Sequence, residues 1–152
     1  MVKKILPWIV VAVFAAVFVA AFVLKDSMNS AISEMMKQQA SPEMTDAGQT
    51  IIDSLYNYTA NGFSFEITFL EFGSKGCSAC ARMEGVMDEI TEKYPAKVNV
   101  VFVNVLKPES QLLMKYYGIA AIPTQVLLNK EGKEFFRHTG YISGEELASG
   151  NF

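Results

Sequence analysis

Twenty consecutive residues without a charged side chain, Ile5–Leu24, divide this chain into two parts that must obey different rules. As a helix the run spans about 30 Å at ~1.5 Å per residue, the hydrocarbon thickness of a bilayer. Pro7 falls in the first turn, where a missing N–H is tolerated. Trp8 stands at the same end, where an indole suits a membrane interface. Lys3 and Lys4 precede the run, whereas Lys25 and Asp26 at its far end offset each other. That bias places Met1 in the cytoplasm and everything after Leu24 outside it. The rival reading is a cleaved signal peptide, but such peptides have an apolar core of about 7–15 residues ending at a small-x-small site. Here bulky Phe22, Val23 and Leu24 follow Ala20 and Ala21. The expectation is a retained single-pass anchor, with residues 1–4 a cytoplasmic tail and 5–24 the transmembrane helix. Residues 25–48 then form a linker or stalk helix, and 49–152 a domain on the extracytoplasmic (periplasmic) side of the cytoplasmic membrane.

The chain is 51% hydrophobic, but much of the excess lies in the anchor, and the remainder is close to the ordinary globular range of about 45–50%. The formal net charge is −3; without Lys3 and Lys4, 11 basic side chains face 16 acidic ones. An acidic domain without a basic cluster is a poor ligand for a phosphate backbone, so nucleic acid is excluded as the main partner.

Beyond the anchor, Ser27–Gln39 carries Met28, Ile32, Met35 and Met36 at helical spacing, and Ala40-Ser41-Pro42 breaks it. Gln49–Tyr58 reads as a helix and Phe63–Phe72 as a strand. Ser78–Lys93 reads as a helix stopped by Tyr94-Pro95. Val98–Val105 is an apolar run suited to a central strand, and Pro108–Tyr117 a short helix closed by Gly118. Thr124–Leu128 and Lys133–Thr139 flank the turn Asn129–Gly132 as a hairpin. A βαβ unit followed by a hairpin predicts an α/β fold, a mixed sheet flanked by helices. Only the stub Ser143–Ala148 remains as a last helix, with Leu147 its one large aliphatic side chain. We therefore expect an earlier amphipathic segment to help cover the sheet, either Gln49–Tyr58 or, the more informative candidate, Ser27–Gln39 through Met28, Ile32, Met35 and Met36. The opposing expectation is a free stalk.

The only cysteines form Cys77-Ser78-Ala79-Cys80, directly after the first strand and opening the next helix. A thiol at a helix N-terminus meets free N–H groups and the positive end of the helix dipole, which favour the thiolate; Lys75 adds to this if it points inward. A second thiol one turn later can attack a mixed disulfide formed at the first. A zinc site lacks ligands, because His138 is the only histidine and reads as an ordinary strand residue. A structural disulfide would close a very short loop and constrain the unfolded chain little; it and a pair of inert thiols remain as alternatives.

Taken together, Phe69-Leu70-Glu71-Phe72, the CxxC motif, Gly118-Ile119-Ala120-Ala121-Ile122-Pro123-Thr124, the Asn129–Gly132 turn and Gly140 resemble the thioredoxin family over roughly Phe63–Glu146. The resemblance implies a thioredoxin fold behind the N-terminal transmembrane helix and a thiol–disulfide oxidoreductase acting on protein substrates without a cofactor or metal. It implies Cys77 as the attacking thiol and Cys80 as the resolving one. Pro123 matches the cis-proline that presents the backbone of Ile122 to an extended substrate, and Glu71 the buried acid that takes a proton from Cys80. Gly76 stands where thioredoxins carry Trp, beside the substrate; Ser78-Ala79 replaces Gly-Pro, Phe102 a lysine beside the buried acid, and Gly85 a helix-kinking proline. These departures point to a tethered relative with a narrow task, a reductase fed by a membrane electron donor, with cytochrome c maturation as one candidate pathway. The alternative is a redox-inactive binding module with a static disulfide.

Overall fold

The computed structural model describes residues 2–152, and their side chains except at positions 2–7, 22, 25 and 26. The tail assigned to residues 1–4, and positions 5–7 and 22 of the expected span, lie outside the described side chains. Among the described residues no helix is long and apolar enough to cross a membrane. Helix α1 runs Val2–Gln38 without a break at Leu24, because no Pro or Gly interrupts the chain between Pro7 and Pro42. The apolar run and the polar segment after it are therefore one helix. Ser41 ends it and starts the next: its Oγ accepts the Met44 N–H at 3.4 Å, and Pro42 occupies the first turn of α2, Pro42–Leu55. So α2 begins seven residues before the expected Gln49. The Ser-Pro pair is a helix start as well as a breaker. A single turn, α3, follows at Tyr58–Asn61.

Strand β1, Ile67–Gly73, is buried along its whole length. It is shorter than the expected Phe63–Phe72 because its parallel neighbour β2, Val98–Asn104, enters the ladder opposite Ile67; ahead of it the Glu66 N–H reaches the Lys97 carbonyl at 2.9 Å. Helix α4, Ser78–Lys93, connects the two. A 3₁₀ turn at Pro108–Ser110 and α5, Gln111–Tyr116, lead to β3, Thr124–Leu128, which runs antiparallel beside β1. Strand β4, Glu134–Thr139, pairs with β3, giving the order β2-β1-β3-β4. Leu70 and Phe72 point to one face, under Ile52 of α2 and Leu113 and Tyr117 beside α5. Ile67 and Phe69 point to the other, under Met83, Val86 and Ile90 of α4.

That second face is completed by the C-terminal stub, not by residues 27–39. Ser143 and Glu146 form a reciprocal capping box that sustains α6, Gly144–Ala148. Leu147 is fully buried on the Phe69–Leu127 cluster, and Phe152 sets its ring edge-on to Tyr94 at 5.1 Å. Met28, Ile32 and Met35 are all exposed, so the expected covering face is overturned. Nor is the segment free. It docks by its polar side: Arg137 on β4 grips Glu134 with two N–H groups at 2.7 and 2.9 Å, donates to the Tyr117 carbonyl at 2.8 Å and reaches Ser33 Oγ at 3.4 Å. Lys37 reaches Glu134 from the helix at 3.5 Å. Gly118, at φ +59°, lies against the Ser33 carbonyl, where a side chain could not fit.

Candidate active site

Strand β1 ends at Gly73, and the chain turns through Ser74-Lys75-Gly76 to deliver Cys77 as the N-cap of α4. Cys77 Sγ accepts the Cys80 N–H at 3.2 Å, the place a Ser or Asp oxygen would take. The two cysteines form a disulfide with Cα atoms 5.2 Å apart. Cys77 is partly exposed, whereas Cys80 is 3% exposed. Once reduced, the outer sulfur sits where free N–H groups and the helix dipole favour its anion. Lys75 is exposed rather than turned inward, so its charge is largely solvated.

Gly76 has φ +105°, a conformation that L side chains rarely adopt, and open space surrounds the position of its missing Cβ. The residue that departs from the thioredoxin pattern therefore leaves the approach to Cys77 clear. The inner sulfur rests on β1, where a Cβ at Gly73 would lie 3.5 Å from Cys80 Sγ and 2.9 Å from the Phe102 ring. Ile122–Pro123 is a cis peptide. Thr124 pairs with Phe72 across the antiparallel ladder, so Pro123, one residue earlier, falls alongside Gly73 and hence beside the sulfurs. Ile122 is half-buried against the Leu70–Phe72 cluster, and the Pro123 carbonyl accepts the Gly140 N–H at 2.8 Å.

Alternation along a strand puts Ile67, Phe69, Glu71 and Gly73 on one face, the face under α4. Glu71 is thus one pleat repeat, roughly 7 Å, below the point where Cys80 rests. It is fully buried. Burial pushes its carboxyl up to about 8, and the N–H that Gln125 donates to its Oε2 at 3.0 Å pulls the other way. Among the described residues neither Glu71 Oε1 nor Gln125 Oε1 has a hydrogen-bond partner. The fold thus gathers Glu71, Gly76, Cys77, Cys80, Ile122 and Pro123 at the C-terminal end of β1. His138 stands away from the sulfurs on β4, with Nε2 3.3 Å from the Tyr141 carbonyl. Among the described residues no group of three or more His, Cys, Asp or Glu side chains could hold a metal. Gln125 is the site residue that sequence reasoning missed; its signal was an amide directly before the apolar run Val126–Leu128, meaningful only once the register opposite Glu71 is known.

The thioredoxin-like domain model matches residues 57–149, more than half of the chain. The chain belongs to the thioredoxin family. The thioredoxin of Synechocystis sp. is 30% identical over 113 residues, 72% of this chain and 92% of the relative. That of Haemophilus influenzae is 30% identical over 80 residues, 53% of this chain and 72% of the relative. Among solved structures, a malaria parasite thioredoxin-2 superposes with a TM-score of 0.51 at 25% identity, covering 55% of this chain and 79% of that one. Mitochondrial thioredoxin 3 of Saccharomyces cerevisiae, in its oxidised form, gives 0.54 at 23% identity, covering 68% and 87%, a likeness of fold. A CxxC disulfide capping α4 in this fold makes the thioredoxin-like chain a thiol–disulfide oxidoreductase.

Proposed function

We propose that the protein is a disulfide reductase held on the outer face of the cytoplasmic membrane by α1, with Cys77 attacking substrate disulfides and Cys80 resolving the mixed disulfide. The observation that carries the division of labour is the asymmetry of the pair: one sulfur partly exposed at a helix cap, the other buried on Gly73. Cys77 thiolate attacks a substrate sulfur and the other substrate thiol leaves. Cys80 gives its proton to Glu71 through water, and its thiolate attacks Cys77 to release the second thiol. Protein substrates lie along Ile122–Pro123, with the open space at Gly76 admitting bulky chains. In an oxidising compartment a reductase draws electrons from a membrane donor, and Ile122 before the proline is the thioredoxin-like choice for that direction. Cytochrome c maturation is a fitting pathway.

Two features support the tether. Trp8, Phe14, Phe18 and Val23 are exposed on α1, with nothing from the domain against them, and apolar surface of that extent calls for a cover. The uncharged run has the length and flanking lysines of a span. Iodoacetamide trapping of the reduced protein across pH tests the thiols: Cys77 alkylates first, with a midpoint below the ordinary thiol value of about 8.5. Preferential alkylation of Cys80 would refute the assignment. Membranes washed with alkaline carbonate retain the protein, and protease added to spheroplasts removes the domain. Release by carbonate would overturn the tether, and protection from protease its orientation.

A further inference from the structure

A carboxylate inside a sheet must find donors or keep its proton. Glu71 faces β2, β3 and α4, and what each offers differs. On β2 its register partner is Phe102, which has no donor. On the α4 side, Met83 packs with Phe69 and Cys80 rests by Gly73, the same-face neighbours of Glu71 along β1; Arg82 lies over the Tyr141 ring, 4.8 Å from its centroid. On β3 its register partner is Gln125, also fully buried, whose Nε2 donates to Oε2 at 3.0 Å. On β4 the residue in register with Gln125 is His138, the titratable group on that side, whose Nε2 is directed to the Tyr141 carbonyl. Among the described contacts, Gln125 is the one hydrogen-bond donor to the Glu71 carboxyl.

The pair is also incomplete in a telling way. Among the described residues Glu71 Oε1 and Gln125 Oε1 are both buried acceptors without a partner. With Glu71 ionised, the one N–H⋯O bond from Gln125 is the described contact that holds the charge. An apolar residue at position 125 would leave the ionised carboxyl without that donor.

We propose that Gln125 is the positioning residue of the thiol chemistry: its amide is the donor that lets Glu71 ionise inside the sheet and so accept the proton of Cys80. The inference rests on the oxidoreductase reading and on Glu71 as the proton acceptor. The step balances as Cys80–SH plus Glu71 carboxylate giving Cys80 thiolate plus Glu71 carboxylic acid. The thiolate then displaces the substrate thiolate from Cys77, closing the Cys77–Cys80 bond. When an external dithiol reduces that disulfide, Cys80 leaves as a thiolate and the same carboxylic acid returns the proton.

Gln125→Met keeps an unbranched chain of similar length and removes the donor, and Gln125→Leu is the second variant if Met does not fold. Two readouts are taken on the full-length protein. Carbon-13 NMR of the Glu71 side-chain carboxyl follows its titration directly. The rate at which dithiothreitol reduces the Cys77–Cys80 disulfide is followed from pH 5 to 10. Loss of the donor moves the Glu71 titration upward by about one pH unit, the scale of one hydrogen bond to a buried carboxylate. The step in the rate profile moves with it, and Gln125→Asn, which restores an amide, moves both part of the way back. An unchanged Glu71 titration in a folded Gln125→Met protein overturns the proposal, because the amide would then be packing alone. A titration that moves while the rate profile stays fixed overturns the link to Cys80. If the unaltered protein exchanges no disulfide at any pH, the oxidoreductase reading fails, while the NMR titration still decides whether Gln125 controls Glu71.

Discussion

Cys80→Ser is expected to turn the protein into a trap, accumulating mixed disulfides between Cys77 and its substrates, while Cys77→Ser yields none and reduces substrates no faster than free thiols do. The reason lies in the placement of the sulfurs. Cys77 caps α4 and is partly exposed, so removing Cys80 leaves the attacking group with its helix N–H neighbours. Cys80 is buried against Gly73, where a protein disulfide cannot reach it and where no helix cap favours its anion. A serine at position 80 fits the same space but cannot displace a thiol, so the intermediate persists until an outside thiol resolves it. Non-reducing electrophoresis of affinity-purified variants, followed by reduction and mass spectrometry, checks the result. Equal trapping by both variants would mean that either sulfur can attack, and the asymmetry of burial would not set the order of events.

The parts of this site that rest on local rules were legible in the sequence. Helix α4 has the expected bounds, Ser78–Lys93, because a cap at Cys77 and a stop at Tyr94-Pro95 mark them within a few residues. Strand β3 lies at Thr124–Leu128 as read from its apolar run and the turn after it. Glu71 is buried, as its match to the family's buried acid implied. What escaped depends on pairing between distant segments. Gln125 looks like an ordinary polar residue, next to Thr124 at the start of the strand, until the ladder sets it opposite Glu71. Residues 63–66 have strand-like side chains, but the ladder with β2 begins only opposite Ile67. The methionines of residues 27–39 draw attention by their period, yet the helix docks through Ser33 and Lys37, whose partners Arg137 and Glu134 lie about a hundred residues on. The stub after Ser143 offers Leu147 as its one large aliphatic side chain, and Ser149-Gly150-Asn151, poor helix formers, lie outside α6. A capping box and two well-placed side chains, Leu147 and Phe152, cover the face instead.

Glu71→Gln is expected to make the protein more stable near neutral pH and a slower reductase. In the unfolded chain Glu71 ionises near 4.5; in the folded chain burial holds the proton until about 8. Between those values the folded state binds one proton more than the unfolded state, so stability falls as pH rises through that window and stays low above it. The accumulated cost at pH 7 is on the order of 3 kcal/mol, from ~1.4 kcal/mol per pH unit, a sizeable part of the 5–15 kcal/mol typical of a domain. Glutamine keeps the shape and carries no charge to bury. Urea unfolding at a series of pH values should then show the variant ahead by about 2–3 kcal/mol at pH 7, with the gap closing below pH 4, where the unfolded glutamate is protonated too. A gap that does not change with pH would mean that Glu71 ionises at an ordinary value in the folded protein. The same substitution removes the group that takes the Cys80 proton, so mixed disulfides with Cys77 should last longer without being locked as in Cys80→Ser. Stability gained and resolution lost at one residue would identify Glu71 as a carboxyl kept inside the sheet for chemistry, at the expense of the fold that holds it.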